Sequence, residues 1–152
     1  MQEIKKDRLY IGGSLGMSSF DVRVKALKVS IIIPTLNEAL ILEDSLHAIS
    51  NLDPHEIIVA DGGSTDLTVS LASGIATQVI NSKPGRACQM NAGAKKATGN
   101  ILLFMHADSK LTWQSFKRMK KAMMSITTAG GAFSLQIESE KTSLKAISLL
   151  AT

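Results

Sequence analysis

A chain of 152 residues with 45% hydrophobic content is long enough to bury a core of its own, and 4% aromatics leave Ile, Leu, Val and Met to fill it. The formal net charge of +4 suits an anionic ligand, and the single cysteine, Cys88, excludes an internal disulfide or a Cys-rich metal site. No apolar run approaches the roughly 20 residues that span a bilayer, and no apolar stretch follows the basic N-terminus as in a signal peptide, so the expected location is cytoplasmic.

Residues 1–28 mix Gly, Ser and charges without periodicity and read as a flexible lead-in, with at most a short helix over Phe20–Lys28. Gly12-Gly13-Ser14-Leu15-Gly16 lacks the preceding strand and the following helix that a phosphate-cradling loop requires. Regular structure begins with strand Val29–Ile33, stopped by Pro34. A helix over Glu38–Ser50 places Leu40, Ile41, Leu46 and Ile49 on one side. Strand Glu56–Ala60 follows, then helix Asp66–Ser73 with Ser64 or Thr65 as its cap. Next come a short strand Thr77–Ile80, a turn at Lys83-Pro84-Gly85 and a helix over Arg86–Thr98. After Gly99-Asn100 come strand Ile101–Met105 and a basic amphipathic helix over Trp113–Ser125. A final strand Gly131–Glu138 and a helix start near Thr142 complete the chain.

Strands alternating with helices, and strands that are nearly continuously apolar, predict an α/β fold with an open, mostly parallel sheet covered by helices on both faces. Right-handed crossovers make the doubly wound arrangement the simplest solution. Ligands of such sheets bind outside the carboxyl ends of the strands, where the strand order reverses. Three strands here run directly into polar residues: Pro34-Thr35-Leu36-Asn37-Glu38, Asp61-Gly62-Gly63-Ser64-Thr65-Asp66 and His106-Ala107-Asp108. If the first and fourth strands are neighbours, the first and third of these clusters face each other across one crevice.

Each cluster has two readings. Gly62 and Gly63 allow backbone angles closed to other residues and a close approach to the main chain. Asp61 then accepts hydrogen bonds from a base or sugar, or else the segment is a tight turn with a structural aspartate. Asp66 caps or favourably charges the next helix. Asp108 holds a divalent cation, with His106 adding a ring nitrogen, or else Asp108 caps the helix containing Trp113. Arg86, near a helix N-terminus, pairs with a phosphate, or else is an exposed loop arginine. Cys88 reads as a small packed residue rather than a nucleophile. Lys117-Arg118-Met119-Lys120-Lys121 reads as a solvated helix face.

Taken together, four segments resemble family 2 glycosyltransferases of the GT-A fold. They are Val29–Glu38, Val59–Asp66, Gly85–Ala94 and Phe104–Ser109, in this order and at the family's spacing. The Gly85-Arg86-Ala87-Cys88-Gln89-Met90-Asn91-Ala92-Gly93-Ala94 stretch with His106-Ala107-Asp108 resembles the subgroup linked to arsenosugar biosynthesis. The resemblance implies transfer of a sugar from a nucleoside-diphosphate sugar to an acceptor hydroxyl, metal-assisted and inverting. It implies a nucleotide-sugar site at Pro34, Thr35, Asn37, Glu38, Asp61, Gly62, Gly63, Ser64, Arg86 and His106. Asp61 would bind the base, and Asp108, matching the last acid of the family's Asp-x-Asp motif, would hold Mg²⁺ or Mn²⁺. His106 stands where the family has its first acid, which departs from the pattern at the ribose contact.

The resemblance also implies a general base in a later segment. The expectation is therefore that residues 29–152 are a truncated donor half, with the base beyond Thr152 and only Glu138 and Glu140 as late acids. The rival reading is a non-catalytic nucleotide-sugar-binding module or an inactive fragment. A dinucleotide-dependent oxidoreductase expects Gly-x-Gly-x-x-Gly after the first strand, where this chain has Pro-Thr-Leu-Asn-Glu. The expected partners are a nucleoside-diphosphate sugar and an acceptor, with no nucleic acid and at most a peripheral membrane contact.

Overall fold

The computed structural model describes residues 26–125 and 127–133. In chain order they form β1 (Val29–Thr35), α1 (Ala39–Ser50), β2 (Glu56–Asp61), α2 (Thr68–Ser73), β3 (Gln78–Asn81), α3 (Arg86–Lys96), β4 (Ile101–Phe104) and α4 (Trp113–Ala122). The four strands make one sheet in the order β3-β2-β1-β4, and every pairing is parallel. The parallel α/β architecture expected from the alternation is the one observed. The chain moves outward from β1 through β2 to β3, then returns to place β4 on the other side of β1. The order therefore reverses at β1, which is where such a sheet opens a crevice.

Side chains alternate across the sheet, so the two faces can be read from the strands. One face carries Val29, Ile31, Ile33, Ile57, Val59, Ile101 and Leu103, which form a single core with Leu42, Leu46 and Ile49 of α1, Ala72 of α2 and Phe116 of α4. The other carries Ser30, Ile32, Ile58 and Ala60, all fully buried. Helix α3 packs on this second face, against β1 and β2. It comes so close at Gly93 that any Cβ there would collide with Ile32 Cγ2.

Several boundaries differ from the sequence reading for identifiable reasons. β1 does not stop at Pro34 but runs on to Thr35. Ile32 faces β4, since its carbonyl accepts from Met105 N–H, and Pro34 two residues on faces the same way. Paired β4 ends opposite Ile32, so the missing proline N–H costs no ladder bond. In α1 the inward stripe is Leu42, Leu46 and Ile49, whereas Leu40 is 98% and Ile41 40% exposed. In β4 the apolar run is not buried on both sides: Ile101 and Leu103 are inside, while Leu102 and Phe104 are more than two-fifths exposed.

The helix expected over Asp66–Ser73 begins at Thr68, and neither Ser64 nor Thr65 caps it. Of the final strand expected over Gly131–Glu138, residues 131–133 are described and form no strand. Its remainder, the helix start near Thr142 and nearly all of the lead-in lie outside the described residues, and residues 26–28 are not helical. Among the described residues no helix is long and apolar enough to cross a membrane.

Candidate functional site

β1 and β2 end side by side, with Thr35 in register with Asp61. On the other flank of β1, the chain leaving β4 turns back at once, with Ser109 N–H donating to His106 O (3.1 Å). Ser45 Oγ of α1 donates to Ala107 O and so ties this turn to the scaffold. Between these ends and the start of α3 lies a cleft of about 260 Å³. Its walls are Pro34, Thr35, Leu36, Glu38, Gly85, Arg86, Gln89, His106, Ala107 and Asp108. The crevice anticipated between the first and fourth strands is therefore present, and it brings together Pro34, Thr35, Glu38, Arg86, His106 and Asp108.

Four of these side chains have chemistry to spare. Among the described residues, no hydrogen bond or ion pair engages the side chain of Glu38, Arg86, His106 or Asp108. Asp108 is exposed and does not cap the next helix. That role belongs to Thr112, whose Oγ1 accepts from Ser115 N–H (3.2 Å). Arg86 is the first residue of α3, where backbone N–H groups and the helix dipole favour an anion. The cleft thus offers positive charge and free amides beside two carboxylates and an imidazole.

The donor set fits a divalent cation. Asp108 offers a hard carboxylate oxygen, which suits Mg²⁺ or Mn²⁺, and the ring nitrogen of His106 would tilt the preference toward Mn²⁺. Among the described residues no group of three His, Cys, Asp or Glu side chains converges. A cation held at Asp108 would therefore fill its other positions from phosphate oxygens and water, which is how Mg²⁺ is commonly bound.

Asn37, Asp61, Gly62, Gly63 and Ser64 do not line this cleft. They build the neighbouring turn. Asp61 is 2% exposed, and its Oδ2 accepts from Gly63 N–H (2.8 Å) and Ser64 N–H (2.9 Å). Its Oδ1 accepts from Ser64 Oγ (2.5 Å) and Thr35 Oγ1 (3.4 Å). A carboxylate has about four lone-pair sites, so all are engaged. Burial pushes this carboxyl up, but the hydrogen bonds from Ser64, Gly63 and Thr35 outweigh it and hold it below the usual carboxylate range.

The same turn is laced to the loop after β1. Asn37, in the left-handed region at φ 56°, donates its N–H to Ser64 Oγ (2.8 Å). Its Oδ1 accepts from Thr65 N–H (2.8 Å). Asp66 accepts from Thr68 N–H (3.0 Å) through one oxygen and from Ala39 N–H (3.2 Å) through the other, so it serves the first turns of α2 and α1 together. Glu38 N–H donates to Thr68 Oγ1 (2.9 Å). These bonds fix the backbone of Glu38 and leave its carboxylate to the cleft.

Gln89, which the sequence offers only as part of the Gly85–Ala94 segment, lines the cleft and is 4% exposed. Its sequence signal was its spacing: it lies four residues before Gly93 and shares the α3 face that touches the sheet. Cys88, expected to be packed, is exposed. Lys117, Arg118 and Lys121 lie on a solvated face of α4 as expected, and Lys120 Nζ sits 5.6 Å from the centre of the Phe116 ring.

With this geometry in place, the chain can be set beside known proteins. The family model for glycosyl transferase family 2 matches residues 30–144. A PGL/p-HBAD biosynthesis glycosyltransferase of Mycobacterium bovis is 38% identical over 91 residues, covering 54% of this chain and 36% of the relative. A GalNAc(5)-diNAcBac-PP-undecaprenol beta-1,3-glucosyltransferase of Campylobacter jejuni is 32% identical over 94 residues, covering 55% and 30%. The matched stretch thus spans about a third of these curated relatives. Among solved structures, glucosyl-3-phosphoglycerate synthase of Mycobacterium tuberculosis in complex with Mn²⁺, UDP-glucose and phosphoglyceric acid superposes with TM-score 0.51 at 28% identity, covering 55% of this chain and 34% of that one. The parallel sheet described above is the fold shared with these GT-A glycosyltransferases.

Proposed function

This chain belongs to glycosyl transferase family 2, and on that premise we propose that it binds a nucleoside-diphosphate sugar for metal-assisted, inverting transfer to an acceptor hydroxyl. The carrying observation is the convergence of Glu38, Arg86, His106 and Asp108, with no partner among the described residues, on the cleft where the strand order reverses. The fold supplies such a cleft to many proteins, and polar side chains converging on it are the mark of a ligand site. The similar synthase contains Mn²⁺ and UDP-glucose together, which supports the same ligand pair here.

In this reading the diphosphate lies between Arg86, with the amides that open α3, and a cation held by Asp108 beside His106. That cation, when bound, would neutralise the charge developing on the departing diphosphate. Arg86 supplies a second, permanent positive charge to the same oxygens. Glu38 accepts from a hydroxyl of the nucleotide, and Pro34 and Thr35 form the wall beside it. Inversion in one displacement needs a base on the acceptor hydroxyl. Glu38 and Asp108 are the described carboxylates of the cleft and are assigned to nucleotide and metal, so the proposal concerns the donor side. Within the family, the arsenosugar-linked subgroup is proposed on the Gly85–Ala94 stretch and His106-Ala107-Asp108 alone.

Calorimetry with UDP and with GDP, each with Mn²⁺, tests the binding step. A saturable, Mn²⁺-dependent heat is the expected result, and silence with every nucleoside diphosphate would sink the proposal. Binding without release of nucleoside diphosphate from a nucleotide sugar, with acceptors present, would favour the rival reading of a binding module.

A further inference from the structure

Gln89 holds a position that the donor-site reading leaves without a role. Its Nε2 donates to Thr35 O (2.7 Å) and to Ala60 O (2.9 Å), the carbonyls at the ends of β1 and β2. Two carbonyls can face only the NH₂ end of a carboxamide, so the orientation of this amide is chemically determined. Both donors are spent, and Oε1 is left as an acceptor. Among the described residues nothing donates to it. Nor, among them, does any fully buried side-chain nitrogen or oxygen lack a partner, so Oε1 must reach solvent space. Gln89 is one of the residues that line the cleft.

The strand order places this acceptor relative to Asp108. Asp108 follows β4, on one flank of β1, while Gln89 bridges β1 to β2 on the other. With the diphosphate at Asp108 and Arg86 and the nucleotide against Thr35 and Glu38, as proposed above, Gln89, bonded to Thr35 O, lies at the nucleoside end. At that end Asp61, Ser64 and Asn37 already accept hydrogen bonds in the loop network, and the Thr35 hydroxyl directs its proton to Asp61. Gln89 Oε1 is an acceptor there that is held fixed and that no described donor uses.

We propose that Gln89 Oε1 takes a hydrogen bond from a donor of the bound nucleoside, and so selects nucleotides that present an N–H or O–H at this point. The inference rests on the donor-site reading above and adds a specificity-determining residue to it. Two donors meet the chemistry: the ring N–H of a uracil or guanine base, and a ribose hydroxyl. Cytosine and adenine present a lone pair at the corresponding ring position, which would face Oε1 acceptor against acceptor.

The test is a cycle of protein and ligand changes, read as dissociation constants with Mn²⁺. Wild type and Gln89→Leu are each titrated with UDP, N3-methyl-UDP, 2′-deoxy-UDP and 3′-deoxy-UDP, or with the matching GDP series if wild type binds GDP. One analogue is expected to bind wild type about tenfold more weakly than its parent and to lose nothing further in Gln89→Leu. Which analogue does so names the donor as base or ribose. Equal analogue-to-parent ratios in the two proteins for all three analogues would overturn the role of Gln89 while leaving the donor site standing. Absence of nucleotide binding by wild type would overturn both. If Gln89→Leu does not fold, the ¹³Cδ resonance of Gln89 in wild type decides: it should shift with the parent nucleotide and not with the analogue lacking the donor, and equal shifts with all ligands would overturn the proposal.

Discussion

Gly62 and Gln89 compete for the same space. A Cβ on Gly62 would lie 3.0 Å from Gln89 Nε2 and 3.1 Å from Cδ. The carboxamide it would press on is held by Thr35 O and Ala60 O, so it has nowhere to retreat without breaking those bonds. The second residue of the Asp61-Gly62-Gly63 turn is small because a helix one layer away puts a buried amide against it.

Gly62→Ala should therefore unlock Gln89. The expected cost is about 1–3 kcal/mol, as for other overpacked sites, read from urea denaturation. Nucleotide affinity should fall as well, since the displaced amide loses its fixed direction. A variant with wild-type stability and affinity would show that the contact is slack.

Asp108 is exposed and makes no contact that the fold depends on among the described residues. Asp108→Ala should leave stability within about 0.5 kcal/mol of wild type and abolish Mn²⁺-dependent nucleotide binding. Calorimetry with and without Mn²⁺ reads both arms. Unchanged affinity would remove Asp108 from the metal site.

Glu56 lies at the opposite end of the sheet from the cleft and is 5% exposed. Its Oε1 accepts from Ser30 Oγ (2.6 Å), Thr98 N–H (2.6 Å) and Oγ1 (3.0 Å), and Gly99 N–H (3.2 Å), joining β1 and β2 to the turn that starts β4. Burial pushes this carboxyl up, and those hydrogen bonds overcome it and lower it below the ordinary value. The unfolded chain then takes up the proton more readily than the folded one. Stability from this group is complete above the unfolded value of about 4.3 and is lost as pH falls through the folded one. Asp61 and Asp66, also lowered, act in the same direction. Glu56→Gln should lose about 1–2 kcal/mol at pH 7 and decline less steeply below about pH 4.5. Parallel denaturation profiles for the two proteins would contradict this.

Gly93→Ala tests the seat of α3. The added Cβ would collide with Ile32 Cγ2, and Ile32 is fully buried in the centre of β1. A loss of about 1–3 kcal/mol is expected. Alanine normally favours a helix over glycine by about 1 kcal/mol, so a stabilised variant would mean that α3 can shift off the sheet.

The alternation of apolar strands with helical segments was enough to establish a parallel α/β sheet, because period and burial are written locally in each segment. The ends of those strands were equally legible: Thr35, Glu38, Arg86, His106 and Asp108 reach one cleft because a parallel sheet delivers all its carboxyl ends to the same edge. Which polar groups remain free there could not be read from the chain. Asp61 has the composition of a ligand-binding residue, but Gly63, Ser64 and Thr35 consume its oxygens. Gln89 resembles any helical glutamine until Thr35 O and Ala60 O fix its amide. Hydrogen-bond satisfaction depends on partners brought together by folding, with Thr35 and Gln89 54 residues apart. Sequence thus determined which elements exist and which of their ends meet, and tertiary structure decided which side chains were left with a valence for a ligand.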